Sequence, residues 1–185
     1  MKKVNIKILM FALFAVLFII TLVLYKGSAF FSFSNSTDAK IVREGDRVPT
    51  VQFLGLNSEK LQLSKKITLI HFWATWCGPC AEELPSFDQL LSQFSGQIQV
   101  FAISQDDSVN EIQAFMKPLK SLSTSENFKI IPDFQHELGS RFKVLALPET
   151  YIVNQDGIVI RKIVGAMDWS SLEVQKYFNE MFSQK

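Results

Sequence analysis

Apolar and polar positions alternate in blocks along this chain, and the blocks name the elements. "KITLIHFWATW" (66–76) is almost continuously apolar and ends at Cys77-Gly78-Pro79, the pattern of a strand buried on both faces. "CAEELPSFDQLLSQF" (80–94) repeats its apolar residues at helical spacing through Leu84, Phe87, Leu90, Leu91 and Phe94, with Gly96 as a stop. "QIQVFAIS" (97–104) is a second apolar strand, so strand, helix and strand predict a parallel crossover. "SVNEIQAFMKPL" (108–119) and "QHELGSRF" (135–142) predict a longer and a shorter helix, and 121–133 reads as loop with one short strand. "PETYIVNQDGIVIRKIVG" (148–165) is two strands about Asn154-Gln155-Asp156-Gly157, a hairpin signal. "DWSSLEVQKYFNEMF" (168–182) predicts a closing amphipathic helix, with Trp169, Leu172, Tyr177 and Phe178 among its apolar positions, and "VQFLGLNSEKLQLS" (51–64) an amino-terminal hairpin. Together these predict an α/β fold: a mixed central sheet with helices on both faces.

The beginning of the chain follows another rule. Lys2, Lys3 and Lys7 precede an uncharged run from Ile8 to Tyr25, 18 residues long. About 20 apolar residues span a bilayer core, whereas a cleavable signal has about 7–15. Residues 1–26 are therefore expected to be a signal anchor and transmembrane helix, with cleavage after Ala29 at Gly27-Ser28-Ala29 as the alternative. The lysine bias puts the amino terminus in the cytoplasm and the rest outside, in the periplasm. No cysteine follows the run, which excludes a lipoprotein anchor. "AFFSFSNSTDAK" falls in a tether over 27–40, its phenylalanines at the membrane interface or the segment simply disordered. Residues 41–185 are the length of one domain. They carry 14 Lys+Arg and 17 Asp+Glu, a net charge of −3 without a basic stripe, so nucleic acid is not an expected partner.

The chain has two cysteines, Cys77 and Cys80. Structural zinc needs four ligands, and beyond this pair there are only His71 and His136. Covalent haem attachment needs a histidine after the second cysteine, where Ala81 stands. A copper metallochaperone enlisting His136 stays open as a binding-class alternative. A purely structural disulfide would close a loop too short to remove much denatured-state entropy. A redox pair has positive support: Cys77 ends a buried strand where a helix begins, and free N–H groups and the helix dipole favour a thiolate there. Pro79 fits the first turn, and Cys80 lies one turn deeper.

"FWATWCGPC", then "EELP" and later "ALPETYIVNQDG", resemble the membrane-anchored TlpA/ResA-like thiol–disulfide oxidoreductases of the thioredoxin superfamily, over about residues 41–185. The resemblance implies a thioredoxin-like fold and a redox-active disulfide between Cys77, the nucleophile, and Cys80, the resolving cysteine, with no other cofactor. It implies a cis bond before Pro148, and a client held by Trp76, Gly78, Pro79, Leu147 and Pro148, the backbone of Leu147 pairing strand-like with it. Glu83 matches a glutamate that tunes cysteine acidity and moves protons; the plainer account is that acids suit a first helical turn. His71 stands where thioredoxin has a buried aspartate that takes the resolving cysteine's proton. It is either a base with a pKa nearer neutrality or a core histidine. Ala146 and Glu149 depart from the family's residues beside its cis-proline. The peroxide-reducing branch needs Thr or Ser three residues before its cysteine and a proline four residues before that; Ala74 and Ile70 precede Cys77, and Cys77 and Trp73 precede Cys80.

The expected activity is reduction of disulfides in client proteins. Apocytochrome c is that family's best-known client, in cytochrome c biogenesis, and a transmembrane thiol-relay electron donor is the implied second partner. Disulfide oxidation or isomerisation is the alternative.

Overall fold

The computed structural model describes Met10, residues 14–19, Thr21 and residues 41–183. The chain divides into two units, Met1–Asp38 and Ala39–Lys185. In the first, residues 14–19 are helical, and the Thr21 hydroxyl donates back to the Leu17 carbonyl at 3.1 Å. No helix among the described residues is long and apolar enough to cross a membrane. The anchor expected over 1–26 lies mostly outside the described residues, and the tether over 27–40 entirely so.

The second unit is built on a five-stranded sheet in the order β5-β4-β3-β6-β7. β3 (Ile67–Trp73) lies at its centre, buried at every residue, which is why its sequence shows no alternation. β4 (Ile98–Ser104) pairs parallel with it, and β5 (Phe128–Pro132) parallel with β4. β6 (Glu149–Val153) runs antiparallel to β3, and β7 (Val159–Val164) antiparallel to β6. Asn154 Oδ1 shapes the β6–β7 turn by accepting the N–H groups of Asp156 and Ile158, and Gly157 takes φ 77° there. The amino-terminal hairpin is a two-stranded ladder, β1 (Phe53–Leu54) with β2 (Lys60–Leu61). This is the mixed sheet expected from the order of elements, and the thioredoxin-like arrangement that the resemblance implies.

Side-chain alternation along β3 separates two cores. Leu69 and Trp73 face one with Phe87, Leu90, Ile112, Leu122 and Phe178; Ile70 and Phe72 face the other with Phe53, Leu138, Phe142 and Tyr151. Helices α1 (Gly78–Glu83), α2 (Ser86–Gln93), α3 (Val109–Met116), α4 (Lys120–Thr124) and α6 (Leu172–Ser183) serve the first core, whereas α5 (Glu137–Phe142) and β1 cover the second. Helices thus lie on both faces, unequally.

Two local expectations change. The helix expected over 80–94 is two helices, because Pro85 has no N–H to continue the ladder and instead caps α2. The stretch 121–133 holds the one short strand expected there, β5, but also most of a helix, α4, where loop was expected.

Candidate active site

Cys77 is the amino-terminal cap of α1, with extended backbone angles, and Gly78 and Pro79 form the exposed first turn. Cys77 and Cys80 are joined by a disulfide, S–S 2.06 Å. Cys80 has no exposure and Cys77 retains 7 %, so both sulfurs are largely covered, but Cys77 keeps an open side. That side faces a groove of about 700 Å³ shared with Trp76 and Leu147, which brings three of the sequence-derived site residues together. Gly78 and Pro79 do not line it. The Leu147–Pro148 peptide is cis, and Pro148 is buried, its carbonyl accepting from Gly165 N–H at 2.9 Å.

The loop between β3 and α1 is held by a residue that the sequence did not single out. Asp106, 1 % exposed just past β4, accepts the Thr75 N–H at 3.0 Å, the Thr75 hydroxyl at 2.6 Å and the Ser104 hydroxyl at 2.6 Å. Cys77 N–H closes the turn onto Ala74 C=O at 3.2 Å. Asp106 is 31 residues from Thr75, and an acidic pair after an apolar strand was the only available signal.

At the other end of α1 lies a buried carboxyl. Glu83 is 3 % exposed, and its Oε1 accepts the indole N–H of Trp169, while Oε2 has no hydrogen-bond partner. Burial pushes the Glu83 carboxyl up to about 7, with the Trp169 indole and the nearby Met167 backbone pulling the other way. A surface pocket lined by Glu82, Glu83, Ser86 and Met167 gives this group an opening to solvent. Trp169, expected within the last helix, precedes α6 and stacks on Phe87 with ring centroids 5.0 Å apart.

His71 is fully buried on β3, its Nδ1 2.9 Å from Thr150 Oγ1 and its Nε2 without a partner. Burial pulls it down to about 3, far from the near-neutral value a proton acceptor would use. It meets Phe87 edge-to-face at 5.0 Å. Aromatic rings therefore connect His71 to the Trp169–Glu83 pair, and no hydrogen bond does. On the sheet's other side Glu149, beside the cis-proline, takes the Tyr151 hydroxyl and lies 2.9 Å from Lys162 Nζ. Among the described residues, no three His, Cys, Asp or Glu side chains converge as a metal-binding group.

The sequence pattern of the AhpC/TSA family matches residues 45–162, from before β1 into β7, and includes Cys77, Cys80, Glu83 and Pro148. The chain belongs to the AhpC/TSA family. It is also similar to the thiol–disulfide oxidoreductase ResA of Bacillus subtilis, 27% identical over 135 residues that cover 71% of this chain and 73% of that protein. ResA of Oceanobacillus iheyensis is 28% identical over 175 residues, 90% of this chain and 88% of its own length. The crystal structure of StoA from Bacillus subtilis superposes with a TM-score of 0.56 at 21% identity, covering 70% of this chain and 95% of that one. The ResA-like resemblance seen in "FWATWCGPC" is borne out, and this AhpC/TSA member is a thioredoxin-like redox enzyme. Within that family its buried Ala74, three residues before Cys77, departs from the peroxide-reducing pattern.

Proposed function

We propose that this protein is a membrane-tethered, extracytoplasmic reductant of disulfides in client proteins. The observation that carries the reading is the asymmetry of the bonded pair: Cys77 borders an open groove and Cys80 is sealed. In the dithiol form, the Cys77 thiolate attacks one sulfur of a client disulfide. A Cys77–client mixed disulfide forms and the other client sulfur leaves as a thiolate. Cys80, once deprotonated, attacks Cys77 and displaces the second client thiolate, leaving the pair oxidised and the client reduced by two electrons. Glu83, with a carboxyl at about 7, is suited to take the Cys80 proton and pass it to solvent.

Gly78-Pro79 supports the direction of electron flow. Stabilising the reduced form makes a pair oxidising, and this dipeptide brings no charged or imidazole donor. Thioredoxin, with the same dipeptide, lies near roughly −270 mV, against about −120 mV for the oxidant DsbA. A reductant in an oxidising compartment needs resupply, so a transmembrane thiol-relay donor is the second partner, and apocytochrome c awaiting haem fits as a client. Equilibration of Cys77–Cys80 against a dithiothreitol or glutathione series is expected to give a potential below about −220 mV. A value above about −180 mV, the range of disulfide isomerase, makes the protein an oxidant or isomerase instead.

The tether rests on the uncharged run Ile8–Tyr25 and the flanking lysines. Mature protein is expected to keep Met1 and to stay with membranes through a high-salt wash. An amino terminus at Phe30 would replace the anchor by a cleaved signal.

A further inference from the structure

The groove beside Cys77 has a built polarity that disulfide exchange alone does not require. Its apolar wall includes Trp76, 69 % exposed, and Leu145, 81 % exposed. Its far rim carries two basic side chains, His136 and Lys143, at opposite ends of α5. His136 is engaged: its Nδ1 lies 3.2 Å from Gln105 Oε1 and its Nε2 3.8 Å from Asp107. The Lys143 ammonium makes no hydrogen bond or ion pair among the described residues.

Lys143 also stands where a lysine is a poor conformational choice. It closes α5 in the left-handed region, φ 56° ψ 48°, its N–H bonded to the Gly139 and Ser140 carbonyls. Glycine is the usual residue at such a helix end, and a long side chain there is disfavoured. His136, at the other end of α5, is left-handed as well, φ 51°. Two left-handed residues bracket a six-residue helix, and both line the groove. An unpaired cation on the rim of an apolar groove complements an anion.

We propose that this groove is a client subsite that selects an acidic side chain near the client's cysteine, with Lys143 as the residue that reads its charge. The inference rests on the proposed reduction of protein disulfides. A client paired along the backbone before Pro148 lays alternate side chains over Leu145 and Leu147, and a carboxylate in that register meets Lys143.

The probes are two synthetic peptides with one internal disulfide each, differing only in Glu or Lys at the second and fourth positions on either side of the attacked cysteine. The reduced full-length chain is mixed with each, and the ratio of their reduction rates is read within one protein and divided by the same ratio with dithiothreitol, so that folding and the intrinsic reactivity of protein and peptides cancel. The wild-type chain is expected to favour the Glu peptide about fivefold at low salt, the ratio falling toward one as salt is raised. Lys143→Asn, a residue that tolerates the left-handed region, brings the ratio near one, and Lys143→Glu inverts it. A wild-type ratio of one, or a ratio that neither variant changes, overturns the subsite and leaves the redox reading standing. Reduction of neither peptide overturns both.

Discussion

Glu83 and Glu149 are both buried, at 3 % and 1 % exposure, and the fold treats them in opposite ways. Glu149 sits with the second core, its Oε1 held by the Tyr151 hydroxyl and Lys162. The Tyr151 hydroxyl also lies 3.1 Å from the Phe142 carbonyl, an alternative acceptor for its single proton, and Lys162 lies over the Tyr151 ring at 5.0 Å. Burial and the carboxylate push the Tyr151 phenol up, so it stays a donor. Glu83 sits with the first core, with neutral groups beside it, the Trp169 indole and the Met167 backbone. The difference separates scaffolding from chemistry. A carboxyl matched by a cation ties the sheet together, whereas burial holds the Glu83 carboxyl near 7, balanced between two states.

Breaking the matched side should cost most. Lys162→Met leaves a buried carboxylate unpaired, and denaturant unfolding is expected to show a loss of about 3–5 kcal/mol. Adding Glu149→Gln should recover a large part of it. A loss below about 1 kcal/mol would show that the pair is incidental.

The balanced side is read through pH. Below 6.5 the unfolded chain takes up a proton at His71 that the folded chain refuses down to about 3, so this site destabilises as pH falls. Between about 7 and 4.5 the folded chain holds a proton at Glu83 that the unfolded chain does not, so this site stabilises as pH falls. From 6.5 to 4.5 the two slopes offset. His71→Asn removes one of them, and relative to wild type its stability should rise as pH falls through that window, by about 1.4 kcal/mol per unit. Glu83→Gln should show the opposite slope. Parallel curves for all three proteins would mean that neither group titrates as its burial dictates. The smallest effect is kinetic: Glu83→Gln should move the midpoint of the pH–rate profile for client reduction by less than about one unit, while His71→Asn leaves it in place.

What could be read beforehand follows from how far apart the interacting residues lie. β3, the two cysteines and the start of α1 are contiguous, so one apolar run, one spacing and one proline disclosed them. The β6–β7 turn was equally local, carried by Asn154 and Gly157. β5 was obscure because its five residues become a strand only by pairing with β4, and α4 because a five-residue helix has little periodicity to display. The donor to Glu83 is 86 residues away, and Trp169 looked like one more apolar position of a helix that begins three residues later. His71 shows the converse limit. Its position was legible, but its proton affinity is set by surroundings that no local pattern contains.

The Asp106 clamp bears on how tightly a client can be held. Ordering a flexible loop on contact costs about 1–2 kcal/mol of backbone entropy per residue fixed, all of it subtracted from affinity. Thr75, between the buried Ala74 and the exposed Trp76, is already bonded to Asp106 through both its amide and its hydroxyl. The ridge that carries Trp76 and Cys77 is thus immobilised when the domain folds, and docking spends no further freedom on it.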